Sequence, residues 1–199
     1  MKNLQIISTR TMTSILLIGT LFIMSSCNGQ GKNQNSKKKE ASNSQVSVEV
    51  PSMDIHAATF MGDIKAVQQH IKAGTDLNQK DDYGSTPLAT AAIFEKSEIA
   101  LALIKGGADL NLKSDAGSTP LHSAAFFCRV KITEDLLANG ADKNIRDNYG
   151  ATPFESVAGP FINVKGIYDQ ISKDLGPFGF KLDYEYLEVT RPKIAELLQ

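Results

Sequence analysis

Asp115, Ser118 and His122 are the side chains of an orienting acid, a nucleophile and a base, close together in the chain. A catalytic triad needs its base held by neighbours against an oxyanion site, and nothing in the sequence supplies one. All three fall on a single hairpin-to-helix turn, where each serves the local geometry. Metal chemistry fares no better. His56 and His122 occupy matching places in the chain, but Ala89 stands midway between them, so no ladder of imidazoles forms. His70 falls on a helix and is expected to be half exposed. The Asp and Asn residues at 76–78, 109–111 and 142–144 are oxygen donors suited to calcium, yet they recur at turns, which use such side chains to bond their own backbone. Cys128 reads either as a reactive thiol or as a half-buried spectator, and the second is the expectation. With no phosphate-cradling glycine motif either, the sequence predicts no catalytic residue, no metal and no cofactor: not an enzyme.

Charge narrows the partner. Residues 1–50 hold Lys2, Arg10, Lys32, Lys37, Lys38 and Lys39 against Glu40 and Glu49, a balance of +4, which leaves −5 for residues 51–199 of a chain whose total is −1. An acidic domain has no basic stripe to displace counterions from phosphates, so nucleic acid is not expected as a partner. Hydrophobic residues make up 42% of the chain and charged residues 22%, enough to bury a core in one domain with appendages.

The N-terminus reads as an address. Lys2 and Arg10 precede the uncharged run from Ile15 to Met24, which is short for a transmembrane helix and suits a secretory signal. That run ends in Met24-Ser25-Ser26-Cys27, which resembles the bacterial lipobox. The resemblance implies a signal peptide over 1–26, cleaved ahead of a lipidated Cys27, and two or three acyl chains suffice to hold a protein on a membrane. The alternative is a plain cleavable signal with an incidental cysteine. Residues 27–50, rich in Asn, Gln, Gly, Lys and Ser, read as a flexible tether. Lacking an acidic cluster suggestive of surface display, the tether gives as the expected location the bacterial cell envelope, lipid-anchored at the outer membrane and facing the periplasm.

Self-similarity reveals the elements that position everything else. Thr86-Pro87-Leu88 returns as Thr119-Pro120-Leu121 and as Thr152-Pro153-Phe154, each step being 33 residues. Gly84, Gly117 and Gly150 keep the same interval, as do Gly74, Gly107 and Gly140. Asp76, Asp109 and Asp142 keep it too, with Asn78, Asn111 and Asn144. This pattern resembles the ankyrin repeat over residues 52–158 and the last dozen of the chain. A Thr at the cap followed by Pro at the first helical position starts a helix, small Ala pairs let neighbouring helices approach, and Gly ends the second helix of each unit. Ile99, Leu103 and Ile104, then Ile132, Leu136 and Leu137, face the core; several such units must stack to bury them.

The expected fold class is an all-α repeat: an ankyrin α-solenoid of about four helix-turn-helix repeats with short β-hairpins, the last repeat carrying an insertion. The repeat domain spans 51–199, with repeats at 52–80, 81–113, 114–146 and 147–199. In the first, Asp54-Ile55-His56-Ala57-Ala58 stands in place of the Thr-Pro start, as suits an N-terminal cap. In the last, a first helix from Pro153 to Ala158 is followed by Gly159-Pro160, its partner helix arrives only at Pro192–Leu198, and 160–186 is the insertion.

The resemblance also places the binding surface, in the groove formed by hairpin tips and first helices. Carried over position by position, it singles out Phe60, Met61, Ile93, Phe94, Phe126 and Phe127 on the helices, with Tyr83 and Tyr149 at the tips. At His122 it implies a hydrogen bond across repeats. Apolar residues at sites that face solvent in a bare array have two readings. They are anchors for a partner, or the 160–186 segment folds back and covers them. The function expected is a membrane-anchored, monomeric protein–protein interaction module. The alternatives are a periplasmic immunity or protective factor inhibiting one enzyme, or a small hydrolase or redox protein.

Overall fold

The computed structural model describes residues 49–199, so Cys27, the signal segment and nearly all of the expected tether lie outside the described residues. Helices come in pairs: α1 (Ile55–Met61) with α2 (Ile64–Lys72), α3 (Pro87–Ile93) with α4 (Ser97–Lys105), and α5 (Pro120–Phe126) with α6 (Val130–Ala138). Each first helix starts on a side-chain cap. Thr86 and Thr119 accept from the backbone N–H groups of Ala89 and His122, with Pro87 and Pro120 in the first turn. Asp54 does the same for α1 through His56 and Ala57. Between pairs, fully buried Ala91, Ala92, Ala124 and Ala125 let the helices approach, while Ile99, Leu103, Ile132 and Leu136 fill the layer behind them. Burying each of these large side chains stabilises the stack by about 1.5–3 kcal/mol.

Within each pair the chain reverses through one residue of left-handed backbone. Gly62, Glu95 and Cys128 have φ of 82°, 56° and 54°, and they stand one repeat apart. Glycine adopts this conformation freely, whereas Glu95 and Cys128 each carry about 1–2 kcal/mol of strain.

The projecting hairpins differ from expectation. Among the described residues there is no strand. Each finger is a tight turn closed by a single outer backbone bond, Asp81 N–H to Ser85 C=O at 3.0 Å, Ser114 to Ser118 at 2.9 Å and Asp147 to Ala151 at 2.9 Å. One such bond per finger is too few for a ladder. The fingers gain rigidity by stacking: a Cβ on Gly84 would stand 2.8 Å from the Asp115 backbone nitrogen, and one on Gly117 2.6 Å from that of Asn148. Both glycines also have positive φ, so no other residue fits there.

The fourth unit departs from the others. α7 is one turn, Glu155–Ala158, followed by α8 (Ile162–Leu175) and a 3-10 turn over Gly176–Phe178. α9 (Tyr184–Leu198) then packs against α5, α6 and α7, taking the place of the missing second helix. That helix begins well before the expected Pro192. Asp183 caps it by accepting from the Tyr186 N–H at 3.0 Å, and Leu187, Thr190 and Arg191 are buried on its upstream turns. Pro192 is exposed inside the helix, where water can serve the carbonyl its ring leaves unpaired.

Candidate functional site

The fingers hold their tips rigid with their own side chains. The Asp81 carboxylate accepts from the Tyr83 and Ser85 N–H groups at 2.9 and 2.8 Å, and Asp147 does the same for Tyr149 and Ala151, both at 2.9 Å. Neighbouring fingers are tied as well. Asn148 donates its amide to the Asp115 carbonyl at 2.8 Å, and Lys113 donates to the Arg146 carbonyl at 2.8 Å. At the base of the last finger, Glu155 pairs with Arg146 at 2.6 Å. Its carboxyl is held below the usual range, first by the Thr152 backbone N–H and then by Arg146. Tyr83 and Tyr149 thus project from a preorganised edge.

The helix positions separate into open and covered. Met61 is 68% exposed and Phe60 36%, with Tyr83 at 43% and Tyr149 at 70%. Ile93, Phe94 and Phe126 are half-buried, and Phe127 is only 7% exposed. The cover is the chain itself. Phe180 sits edge-on to Phe94 (centroids 5.4 Å) and to Phe127 (5.6 Å), while the Tyr168 ring stacks on Phe126 at 4.6 Å. Phe161 stacks in turn on Tyr168 at 5.7 Å. Of the two readings of this stripe, folding back holds for Phe94, Phe126 and Phe127; Phe127 therefore presents no surface to a partner in this arrangement.

Polar contacts lock that cover. The fully buried Tyr168 hydroxyl donates to the Phe126 carbonyl at 2.5 Å and accepts from Arg191 at 3.1 Å. Burial pushes the Tyr168 phenol up to about 12, so it stays a neutral donor. Arg191, 2% exposed, also donates to the carbonyls of Ser156 (3.1 Å) and Gly159 (3.3 Å), closing the single-turn helix α7 with no carboxylate partner. A second buried guanidinium, Arg129, pairs with Glu95 at 2.6 Å and donates to the Ile93 carbonyl at 3.1 Å. The pair lines a cleft of about 220 Å³ together with Lys181, Asp183 and Tyr186. Tyr168, Arg191 and the Arg129–Glu95 pair escaped the sequence reading, because no residue type is kept at their positions from unit to unit.

The residues weighed for chemistry have structural employment. Both ring nitrogens of His122 are engaged, Nδ1 with Thr119 and Nε2 with the Ala151 carbonyl of the following unit at 3.0 Å, so it is no base for Ser118. Burial pushes its pKa below the ordinary histidine value. His70 is buried, contrary to the expected half exposure, because its imidazole holds the Met53 carbonyl at 2.8 Å and the Thr75 hydroxyl at 3.0 Å. Cys128 is likewise fully buried and not half-buried: it lies under α9 with its thiol against the Leu187 carbonyl at 3.8 Å. Burial drives that thiol up to about 11, leaving it unreactive. The Asp and Asn pairs serve the turns. Asn78 and Asn111 accept from the Asp109 and Asp142 N–H groups, one unit on, at 2.7 and 2.8 Å. Among the described residues no group of three His, Cys, Asp or Glu side chains converges to hold a metal ion.

The comparison with known families agrees with this geometry. Residues 55–147 match the family model for ankyrin repeats (3 copies). No curated protein matches the chain.

Proposed function

We propose that this ankyrin array is a monomeric protein-interaction module of the bacterial cell envelope, held to the periplasmic face of the outer membrane by lipid on Cys27. Ankyrin repeats indicate a module that binds protein, and the observation carrying the reading here is the open edge. Tyr83 and Tyr149 stand on braced fingers, and Phe60 and Met61 on the first helix, all exposed. Aromatic anchors on a rigid frame lose little conformational freedom on binding, which makes them efficient contact residues. Residues 160–183 act as an insertion that closes the other half of the groove, so binding belongs to the fingers and the first unit. The motif Met24-Ser25-Ser26-Cys27 supports the anchor, and the polar 28–48 segment supports a spacer between membrane and array.

Capture from detergent-solubilised envelope tests the module. Tyr83→Ala with Tyr149→Ala should lose the partner, each central anchor costing about 2 kcal/mol or more. A double variant that retains full capture rejects the assignment. Mass spectrometry of the mature N-terminus tests the anchor: an acylated Cys27 is expected, and an unmodified terminus elsewhere rejects it.

A further inference from the structure

The cleft beside the Arg129–Glu95 pair is walled by two parts of the fold. Glu95 and Arg129 come from the turns inside the second and third helix pairs, while Lys181, Leu182, Asp183 and Tyr186 come from the start of α9 and the residues leading into it. At about 220 Å³ the cleft is smaller than the roughly 300–1,000 Å³ of sites for drug-sized ligands, so it suits a molecule of a few heavy atoms. Arg129 gives the wall a buried charge. It is 8% exposed, with Nη1 on Glu95 and Nη2 on the Ile93 carbonyl, yet its Nε–H has no hydrogen-bond partner among the described residues. A buried donor left unmatched is costly. Burial pushes the Arg129 pKa below the ordinary arginine value, the Glu95 carboxylate only partly opposing.

Charge on the cleft walls cancels: the cations Arg129 and Lys181 stand against the carboxylates Glu95 and Asp183. Of these four, only Arg129 and Glu95 are joined. Lys181 and Asp183 have no ion-pair partner among the described residues, and no ion pair spans the cleft from Lys181 to Glu95. Glu95 gives one oxygen to Arg129 and Asp183 gives one to the Tyr186 N–H, so each retains a second oxygen with no hydrogen bond among the described residues. A guest with a single charge would gain at one pole and lose at the other. A zwitterion matches both, with its carboxylate on Lys181 and Arg129 and its ammonium on Glu95 and Asp183. Leu182 and the Tyr186 ring then form an apolar wall for its side chain.

We infer that this cleft binds a free α-amino acid with an aliphatic side chain. Seated there, the ligand joins the helix-pair turns to the start of α9, and binding only the folded chain it stabilises that chain by mass action. The test uses the full chain in detergent, its leucine methyl groups labelled, with unlabelled L-leucine as the probe. L-leucine should shift the Leu182 methyl resonances to saturation and raise the melting temperature. Isocaproate, which lacks the amine, and isopentylamine, which lacks the carboxylate, should each bind at least about tenfold more weakly, because each leaves one pole of the cleft unmatched. Lys181→Met and Asp183→Asn should weaken L-leucine to a similar extent. Both variants should barely alter the melting temperature of the free protein, since Lys181 is exposed and Asn caps a helix as Asp does. No saturable shift at Leu182, an equal response to all three probes, or either variant binding L-leucine as the parent chain does overturns the inference.

Discussion

The three regular helix pairs and the C-terminal unit are held together in different ways. From α1 to α6 each stabilising device is used more than once: the Thr caps, the alanine contacts, and the Asn78–Asp109 and Asn111–Asp142 bonds between successive units. The fourth unit relies on contacts that occur once. Arg191 bonds Tyr168, Ser156 and Gly159; Tyr168 bonds Phe126; and the Tyr186 hydroxyl donates to the Cys128 carbonyl at 3.2 Å. A repeated device distributes stability along the array, whereas a singular one concentrates it in a few side chains.

The comparison breaks most violently at the repeated contacts. Ala124→Asp places an unpaired charge on the inner face of α5, where the methyl group is fully buried, and should cost at least about 3 kcal/mol. Circular dichroism should show a lost or strongly lowered melting transition. The singular region is next. Phe127→Ala should destabilise by about 3–5 kcal/mol, since a buried ring leaves a cavity. In a double-mutant cycle with Phe180→Ala, about 0.5–1.5 kcal/mol of that should prove to be shared between the two rings. Additive losses in urea titrations would show that Phe180 merely lies nearby.

Smaller effects sharpen the contrast. Gly117→Ala should cost about 1–3 kcal/mol or more, because positive φ and the Asn148 backbone both resist a Cβ, whereas Gly150→Ala meets only the first penalty. Equal melting temperatures for these two variants would remove finger stacking from the account. The smallest effect is electrostatic. Burial lowers the His122 pKa from 6.5, so as pH falls through and below that value the unfolded chain takes up a proton that the folded chain refuses. Stability is therefore full above pH 6.5 and declines below it, levelling off only under the folded-state pKa. His122→Gln should flatten that decline in chemical denaturation measured across the range.

The same contrast explains what the sequence disclosed. The Thr-Pro starts, the alanine pairs and the paired Ile and Leu residues obey one interval, and each was visible because the interval repeated it. Glu95 and Cys128 obey that interval too, sharing the place of Gly62, but the left-handed backbone there is hidden when the residue is not glycine. The start of α9 was obscured by Pro192, which mimics a helix beginning, while its true cap, Asp183, is one polar residue among several. Phe180 and Tyr168 were unreadable as the cover of the stripe, because their partners lie dozens of residues away at no regular spacing. Tyr83, Tyr149, Phe60 and Met61, which the ankyrin resemblance singled out position by position, are exposed in the structure.

The central claim is that a partner meets the fingers and the first unit, while the chain itself occupies the seat between Phe94 and Phe127. Photo-crosslinking tests it most directly, with a benzophenone side chain placed in turn at positions 61, 149 and 180 of the full chain in solubilised envelope. The account predicts partner adducts from positions 61 and 149 and only intramolecular products from position 180. Partner adducts from position 180, with none from 61 or 149, would contradict it.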